Sequence, residues 1–305
     1  MVEDKVKRYQ LILGWIAVSI VLVIASLWAY WGGIENFHEG WYSKNIWENL
    51  FMMIVQYWSF SLIFILIGLL GIRFRIAALA MCVTVGIAAA IFFGGASFSV
   101  LWVMILIPLA GIGLLFFFGR PYPKKIGYIL IISIPVIILA ITTIIGLARV
   151  SKRVDDGDYG MRRVQGKEIC LVWAPRGPGW PEEGTDYESA KSLCAHLSED
   201  GTEILDEELG IWRLPSIEEA VALQMHHGKN AGGVWDEGLK KAEYELRPDK
   251  ETPLWDPHSM IIYYWTADTE NIQRAYIITY NGGVFPRNKD SKYGYLSFRA
   301  VKDCD

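Results

Sequence analysis

Apolar residues are spread unevenly along this chain of 305 residues. They collect before residue 150 in five runs, roughly 10–31, 50–71, 76–95, 98–118 and 126–147, each close to the ~20 residues a helix needs to cross a bilayer. No run contains Asp, Glu, Lys, Arg or His, so every charge of the first half falls in a connection or near the N-terminus. Residues 1–148 are therefore expected to form a membrane domain of five helices. The first is read as a retained helix rather than a cleaved leader. It outlasts a signal-peptide core and ends in "LWAYWGG", where Trp28, Tyr30 and Trp31 carry the amphipathic rings favoured at a membrane interface.

The pattern changes after residue 148. Residues 149–166 are dense in charge and poor in large apolar side chains, as a solvated linker would be. "KEICLVWAP" then reads as a strand and "TDYESAKSLCAHLSEDG" as a helix, with Thr185 and Glu188 as its capping box and Gly201 as its stop. Tyr187, Ala190, Leu193, Cys194 and Leu197 recur on one face of that helix. In "GIWRLPSIEEAVAL" the chain approaches extended to Pro215, and Ser216 with Glu219 starts a second helix. Arg213 and Glu219 are placed to pair and fix that helix. Four β-rich stretches close the chain, "MIIYYWTA", "AYIITY", "GVFP" and "YLSFRAV", with Asn281-Gly282 as a hairpin turn because both residues tolerate positive φ. Strand, helix, helix, long loops and meander make an α+β domain over 167–305.

Charge orients the two parts. The connections after the second and fourth runs hold Arg73, Arg75, Arg120, Lys124 and Lys125 with no acid, whereas the first holds Glu35, Glu39 and Glu48 against Lys44. The positive-inside rule puts the N-terminus in the cytoplasm and, with five spans, residues 151–305 outside. Arg149, Lys152 and Arg153 pull the other way, diluted by Asp155, Asp156 and Asp158. Residues 1–150 carry 10 Lys and Arg against 5 Asp and Glu, and residues 151–305 carry 19 against 28, or +5 and −9. So acidic an outer half is a poor partner for nucleic acid. With no ionisable group in the runs, anchoring is favoured over pumping. Gln56, Ser59, Ser61, Pro108 and Pro135 serve helix bonding and bending, and Gly86, Ala88, Ala89, Ala90, Gly111 and Gly113 offer surfaces for close helix approach.

The element order, with "WRLPSIEE", "YYWTAD" and "SFRAV", resembles the C-type-lectin-like fold in its formylglycine-generating-enzyme (sulfatase-modifying-factor) branch. It is most similar to the Lcl-type C-terminal domains of bacterial surface proteins, over about residues 167–302. The resemblance implies a bacterial inner-membrane protein whose outer domain is periplasmic or extracellular. The enzymes of the family hold copper with a cysteine pair, one in a "-F-R-C-" strand, and Phe298, Arg299 and Ala300 stand there. A soft copper site cannot be built without that thiolate. The resemblance also places the first and last strands side by side, bringing Cys170 near Cys304, with Cys194–Cys304 as the rival pairing.

Other constellations are weaker. His226 and His227 would diverge by about 100° on a helix and could not chelate together. Asp236, Glu237 and Asp256 offer oxygen ligands for calcium, though the sugar-and-calcium signatures of C-type lectins are missing and a solvated acidic loop explains them. Trp173, Trp212, Trp235, Trp255 and Trp265 could form a sugar-stacking platform, although most tryptophans in a domain of this size serve core or loop packing. Trp235, Trp255, Asp256 and Arg287, on the loops and the meander tip, are the candidate ligand contacts. The expected function is a membrane-anchored, non-catalytic module binding a surface glycan or protein, without a resident cofactor. Its alternatives are an accessory or structural subunit of a larger membrane complex, with other subunits packing on the helices, and a diverged formylglycine-generating-type oxidase.

Overall fold

The computed structural model describes residues 6–94, 100–166 and 169–304. The chain divides into two units, one within Met1–Gly40 and Trp47–Ala148, the other within Trp41–Ile46 and Arg149–Asp305. The last three residues of the junction expected at "GGAS" and the first two residues of "KEICLVWAP" lie outside the described residues.

The first unit is helical: α1 (Arg8–His38), α2 (Ile46–Met52), a π-helical turn (Met53–Trp58), α3 (Ser59–Arg73), α4 (Arg75–Gly94), α5 (Val100–Phe118) and α6 (Lys124–Val150). Among the described residues four stretches are long and apolar enough to cross a membrane: Arg8–His38, Ile46–Arg73, Arg75–Phe93 and Lys124–Val150. The fifth expected span falls on the apolar helix α5, over Trp102–Phe118 among the described residues. Large apolar side chains stay exposed on these helices, Ile76 at 76% and Phe92 at 80%, as a lipid-facing surface requires. Where helices touch, small residues admit a neighbour. A Cβ on Gly71 would sit 2.4 Å from the Phe116 ring, and Ser61 Oγ donates to the Ala25 carbonyl at 2.9 Å. Gly86 and Gly113 likewise meet side chains of the facing helix, whereas Gly111 faces open space. The first run does not stop at Trp31. α1 continues through Glu35 and His38, so ionisable groups join its last turn.

The second unit is α+β. Strands β1 (Arg162–Gln165), β2 (Cys170–Trp173) and β11 (Val301–Asp303) form an antiparallel sheet in the order β1-β2-β11. A four-stranded sheet follows the order β10-β7-β8-β9, from β7 (Tyr263–Thr269), β8 (Arg274–Thr279), β9 (Val284–Asn288) and β10 (Leu296–Ser297). Helices α7 (Tyr187–Ala195) and α8 (Ile217–Ala222) pack on a core in which Trp173, Trp180, Trp212, Trp255 and Trp265 are all 4% exposed or less. Two hairpins, β3 (Met225–His226) with β4 (Lys229–Asn230) and β5 (Val234–Asp236) with β6 (Lys241–Glu243), occupy the stretch read as long loops.

Local chemistry revises several sequence expectations. Residues 149–166 are not a free linker: β1 joins the sheet, Thr252 N–H donates to the Val154 carbonyl at 3.0 Å, and Arg149 and Arg153 clasp Asp249. These charges are satisfied within the fold, which composition cannot reveal. Helix α7 is capped by Asp186, whose carboxylate accepts Ser189 N–H at 2.9 Å, not by Thr185, and it ends at Ala195 well before Gly201. At the Asn281-Gly282 turn only Gly282 has positive φ, +86°. His226 ends β3 and His227 opens the β3–β4 turn rather than riding a helix, with their ring centroids 3.9 Å apart and their planes tilted by 32°.

Candidate functional site

One feature of the second unit is suited to contact: a ladder of four aromatic rings ending in a cation. Alternation along β7 and β9 brings Tyr263 and Phe285 to one face of the sheet, their ring centroids 6.1 Å apart. Tyr295, on the approach to β10, meets Tyr263 edge-on at 5.4 Å and stacks with Tyr293 at 5.3 Å and 9° between planes. At the other end the Arg287 guanidinium lies 5.7 Å from the Phe285 centroid. Exposure grades along the row, from Tyr263 at 8% to Tyr293 at 44%. The Tyr295 carbonyl accepts the N–H of Ile262 and Tyr263, and Thr185 N–H donates to the Leu296 carbonyl at 2.9 Å. Gly184 permits this approach, since a Cβ there would lie 2.0 Å from the Tyr293 carbonyl oxygen. The ladder is thus pinned by backbone bonds and offers ring faces for stacking plus one fork for a carboxylate.

Of the four candidate contacts, the structure places only Arg287 in this ladder. Trp255 is fully buried, stacked on Tyr264 with centroids 4.0 Å apart, and its Nε1 donates to Gln224 Oε1 at 3.2 Å. It is a core residue and cannot meet an external ligand. Asp256, 5% exposed, forms an ion pair with Arg176 and accepts His258 N–H at 2.7 Å. Trp235 is half-buried against Tyr276, with Nε1 donating to Glu237 Oε2 at 2.7 Å. Arg287 pairs with Ala275 and Trp235 touches the next residue, Tyr276, so the two lie on opposite faces of the sheet. The proposed calcium ligands are engaged separately: Asp236 accepts Leu239 N–H at 2.9 Å, Glu237 pairs with Lys240, and Asp256 is spent on Arg176.

The motif residues build architecture. Arg213 donates two parallel bonds of 2.7 Å to Glu219 and a third of 2.6 Å to Asp303. Ser216 Oγ accepts Glu219 N–H while Glu219 accepts Ser216 N–H, and the Pro215 carbonyl accepts Ala267 N–H at 2.7 Å. Burial opposes the charge of Glu219, but the Arg213 guanidinium and the Ser216 amide outweigh it and hold the carboxyl below its usual range. Arg299 is fully buried 3.6 Å from the Trp180 ring centroid and donates to the carbonyls of Ala174, Pro253 and Leu254. Burial lowers its pKa to about 9.

The donors do not fit a copper centre of the kind the resemblance implies. Ala300 is buried at the family position, with its carbonyl accepting Ala174 N–H at 2.9 Å. Cys304 is joined to Cys170 in a disulfide, and Cys194 is buried in the core, where desolvation pushes its thiol pKa up. No two thiolates are left to converge there. In the helical unit, Glu35, His38 and Glu39 bring one ligand atom each within 4.8 Å of the others. Their i, i+3, i+4 spacing was open to sequence reading, but the apolar run ends at Trp31 and draws the helix short. The remaining ladder residues were missed because Tyr263, Phe285, Tyr293 and Tyr295 lie on separate segments with no shared motif. Compared with protein-family models, curated proteins and solved structures, the chain finds no match in any of the three.

Proposed function

We propose that this chain is a membrane-anchored, non-catalytic binding protein. Five helices hold it in a bacterial inner membrane with the N-terminus in the cytoplasm, and an outer domain of the C-type-lectin-like kind presents the aromatic ladder to a surface glycan or protein. Four helices of membrane length and a fifth apolar one support the anchor. The observation that carries the binding function is the row Arg287, Phe285, Tyr263, Tyr295 and Tyr293, whose rings grade from the buried Tyr263 to the exposed Tyr293 on a backbone-pinned edge. Rings held in this way lose little freedom on contact and stack on sugar C–H faces or on apolar side chains.

Full-length protein in lipid nanodiscs, applied to an array of bacterial surface glycans, tests this. At least one glycan class should be retained, and Tyr293→Ala should weaken it about tenfold, the worth of one aromatic stack. Trp235→Ala, on the other face of the sheet, should leave it unchanged. Retention unaffected by Tyr293→Ala but abolished by Trp235→Ala would refute the ladder as the binding surface.

A further inference from the structure

Four cations meet at one end of the helical unit around a cavity of about 470 Å³. Arg73 ends α3 and Arg75 begins α4, with Phe74 between them in a non-helical conformation. Arg120 lies in the connection between α5 and α6, and Lys124 begins α6. Among the described residues no carboxylate lines the cavity, and none of the four cations forms an ion pair. The two turns are held firmly. A Cβ on Gly119 would lie 2.5 Å from the Gly14 nitrogen, and one on Gly14 2.3 Å from the Pro121 nitrogen. Arg120 N–H donates to the Gln10 carbonyl at 2.7 Å, Trp15 Nε1 to the Tyr122 carbonyl at 3.2 Å, and Arg75 Nη1 to the Phe117 carbonyl at 3.1 Å. Like charges lining one cavity repel one another and stand to gain from an anion. The α4 and α6 N-termini, at Arg75 and Lys124, add the positive ends of two long helices.

A second cavity, of about 540 Å³, is lined only by apolar residues of α1 and α5, among them Leu13, Ile20, Ile24, Ile112, Leu115 and Phe118. The two cavities adjoin along the chain, since Phe118 lines the apolar one and the next residue, Gly119, lines the cationic one. From Leu13 to Ile24 the groove follows α1 for about 16 Å at 1.5 Å per residue, enough for much of an acyl chain. Gly111 borders it with nothing within 4 Å of a Cβ position, so the groove has room.

We propose that the two cavities bind one anionic phospholipid, its phosphate among Arg73, Arg75, Arg120 and Lys124 and an acyl chain along the groove between α1 and α5. Guanidinium forks match phosphate oxygens two at a time, and basic pockets between helices at a membrane surface suit such headgroups. A free phosphate has the same headgroup chemistry but leaves the apolar groove without an occupant.

The test uses full-length protein in dodecyl maltoside, titrated with phosphatidylglycerol, with phosphatidylcholine of the same chains, or with inorganic phosphate, and read by native mass spectrometry. Phosphatidylglycerol should bind at least about tenfold more tightly than phosphatidylcholine, and excess inorganic phosphate should not displace it. The triple variant Arg73→Gln/Arg120→Gln/Lys124→Gln should lose that preference, whereas Lys229→Gln/Lys241→Gln in the outer domain should keep it. Gly111→Phe, which fills the groove, should weaken phosphatidylglycerol at unchanged elution volume on size exclusion. If the triple variant loses the wild-type elution volume, Lys124→Gln alone, at an exposed side chain, is read in its place. Equal affinity for the two lipids, or a preference that survives the charge substitutions, overturns the proposal. Displacement by inorganic phosphate, or indifference to Gly111→Phe, overturns the lipid and assigns the pocket to a free anion.

Discussion

Cys170 and Cys304 are bonded across the end of an antiparallel strand pair, 134 residues apart in sequence and 5.6 Å apart between Cα atoms. Leu171 of β2 pairs with Asp303 of β11, so the register itself sets the two cysteines opposite each other. The bond ties β2 of the second unit to the residue that follows β11. Replacing both cysteines by Ala should cost about 2–4 kcal/mol, mostly through the freedom returned to the unfolded chain. Pulse proteolysis of residues 151–305 in urea, with and without dithiothreitol, measures this. Reductant should lower the wild-type midpoint and leave the double variant's unchanged.

Asp249 is 4% exposed in its side chain and is held by Arg149 Nε at 2.8 Å and Arg153 Nε at 2.9 Å. Burial raises its pKa, but the two guanidinium groups more than offset this and keep it below 3.8. A depressed carboxyl contributes stability in full above its unfolded pKa and loses it as pH falls through the folded one. Asp249→Asn should therefore cost about 3 kcal/mol at neutral pH and flatten the acid limb below about pH 4. Proteolysis midpoints at pH 7 and pH 3 check both statements.

Lys250, next in the chain, is 3% exposed, and its Nζ donates to the Ser259 carbonyl. Burial, with Arg153 nearby, brings its pKa down from 10.5 to about 7. Between those values the unfolded chain holds a proton that the folded one has released, so this group makes stability rise with pH. Lys250→Met should raise stability at pH 7 and remove the rise between pH 7 and pH 9, below the range where the tyrosines titrate. An unchanged slope in the variant would show that Lys250 keeps its proton in the fold.

Glu219 serves two partners, the Arg213 guanidinium and the Ser216 N–H. Glu219→Ala should cost more than Ser216→Ala, which removes only a cap worth about 1 kcal/mol. Arg213→Lys should fall between them because it loses the fork while keeping the charge. Equal losses in all three variants would make the cap alone responsible.

What the sequence could convey was local. The apolar runs and the Ser216–Glu219 box are short-range patterns, and each forms within a few residues of its own signal. The disulfide pairing depends on a strand register set by residues far away, so two partners for Cys304 stayed open until β2 and β11 were seen paired. Burial of Trp255 was illegible for a similar reason, because its ring is covered by Tyr264 from a strand of its own. The charges of Arg149 and Arg153 read as solvated only because their partner, Asp249, lies about a hundred residues on. The ladder needs Tyr263, Phe285, Tyr293 and Tyr295 to be brought together by a sheet.

An oxidised Cys170–Cys304 pair and access to a surface partner both depend on residues 151–305 lying outside the cytoplasmic membrane. The direct measurement is labelling of single added cysteines with a membrane-impermeant maleimide in cells whose outer envelope is permeabilised and whose inner membrane is intact. Asp290→Cys, at an exposed position of the outer domain, should be labelled at once, and Lys125→Cys, in the basic connection before α6, only after the inner membrane is broken. Labelling of Lys125→Cys in intact cells with protection of Asp290→Cys would contradict the topology and, with it, the proposed binding role outside the cell membrane.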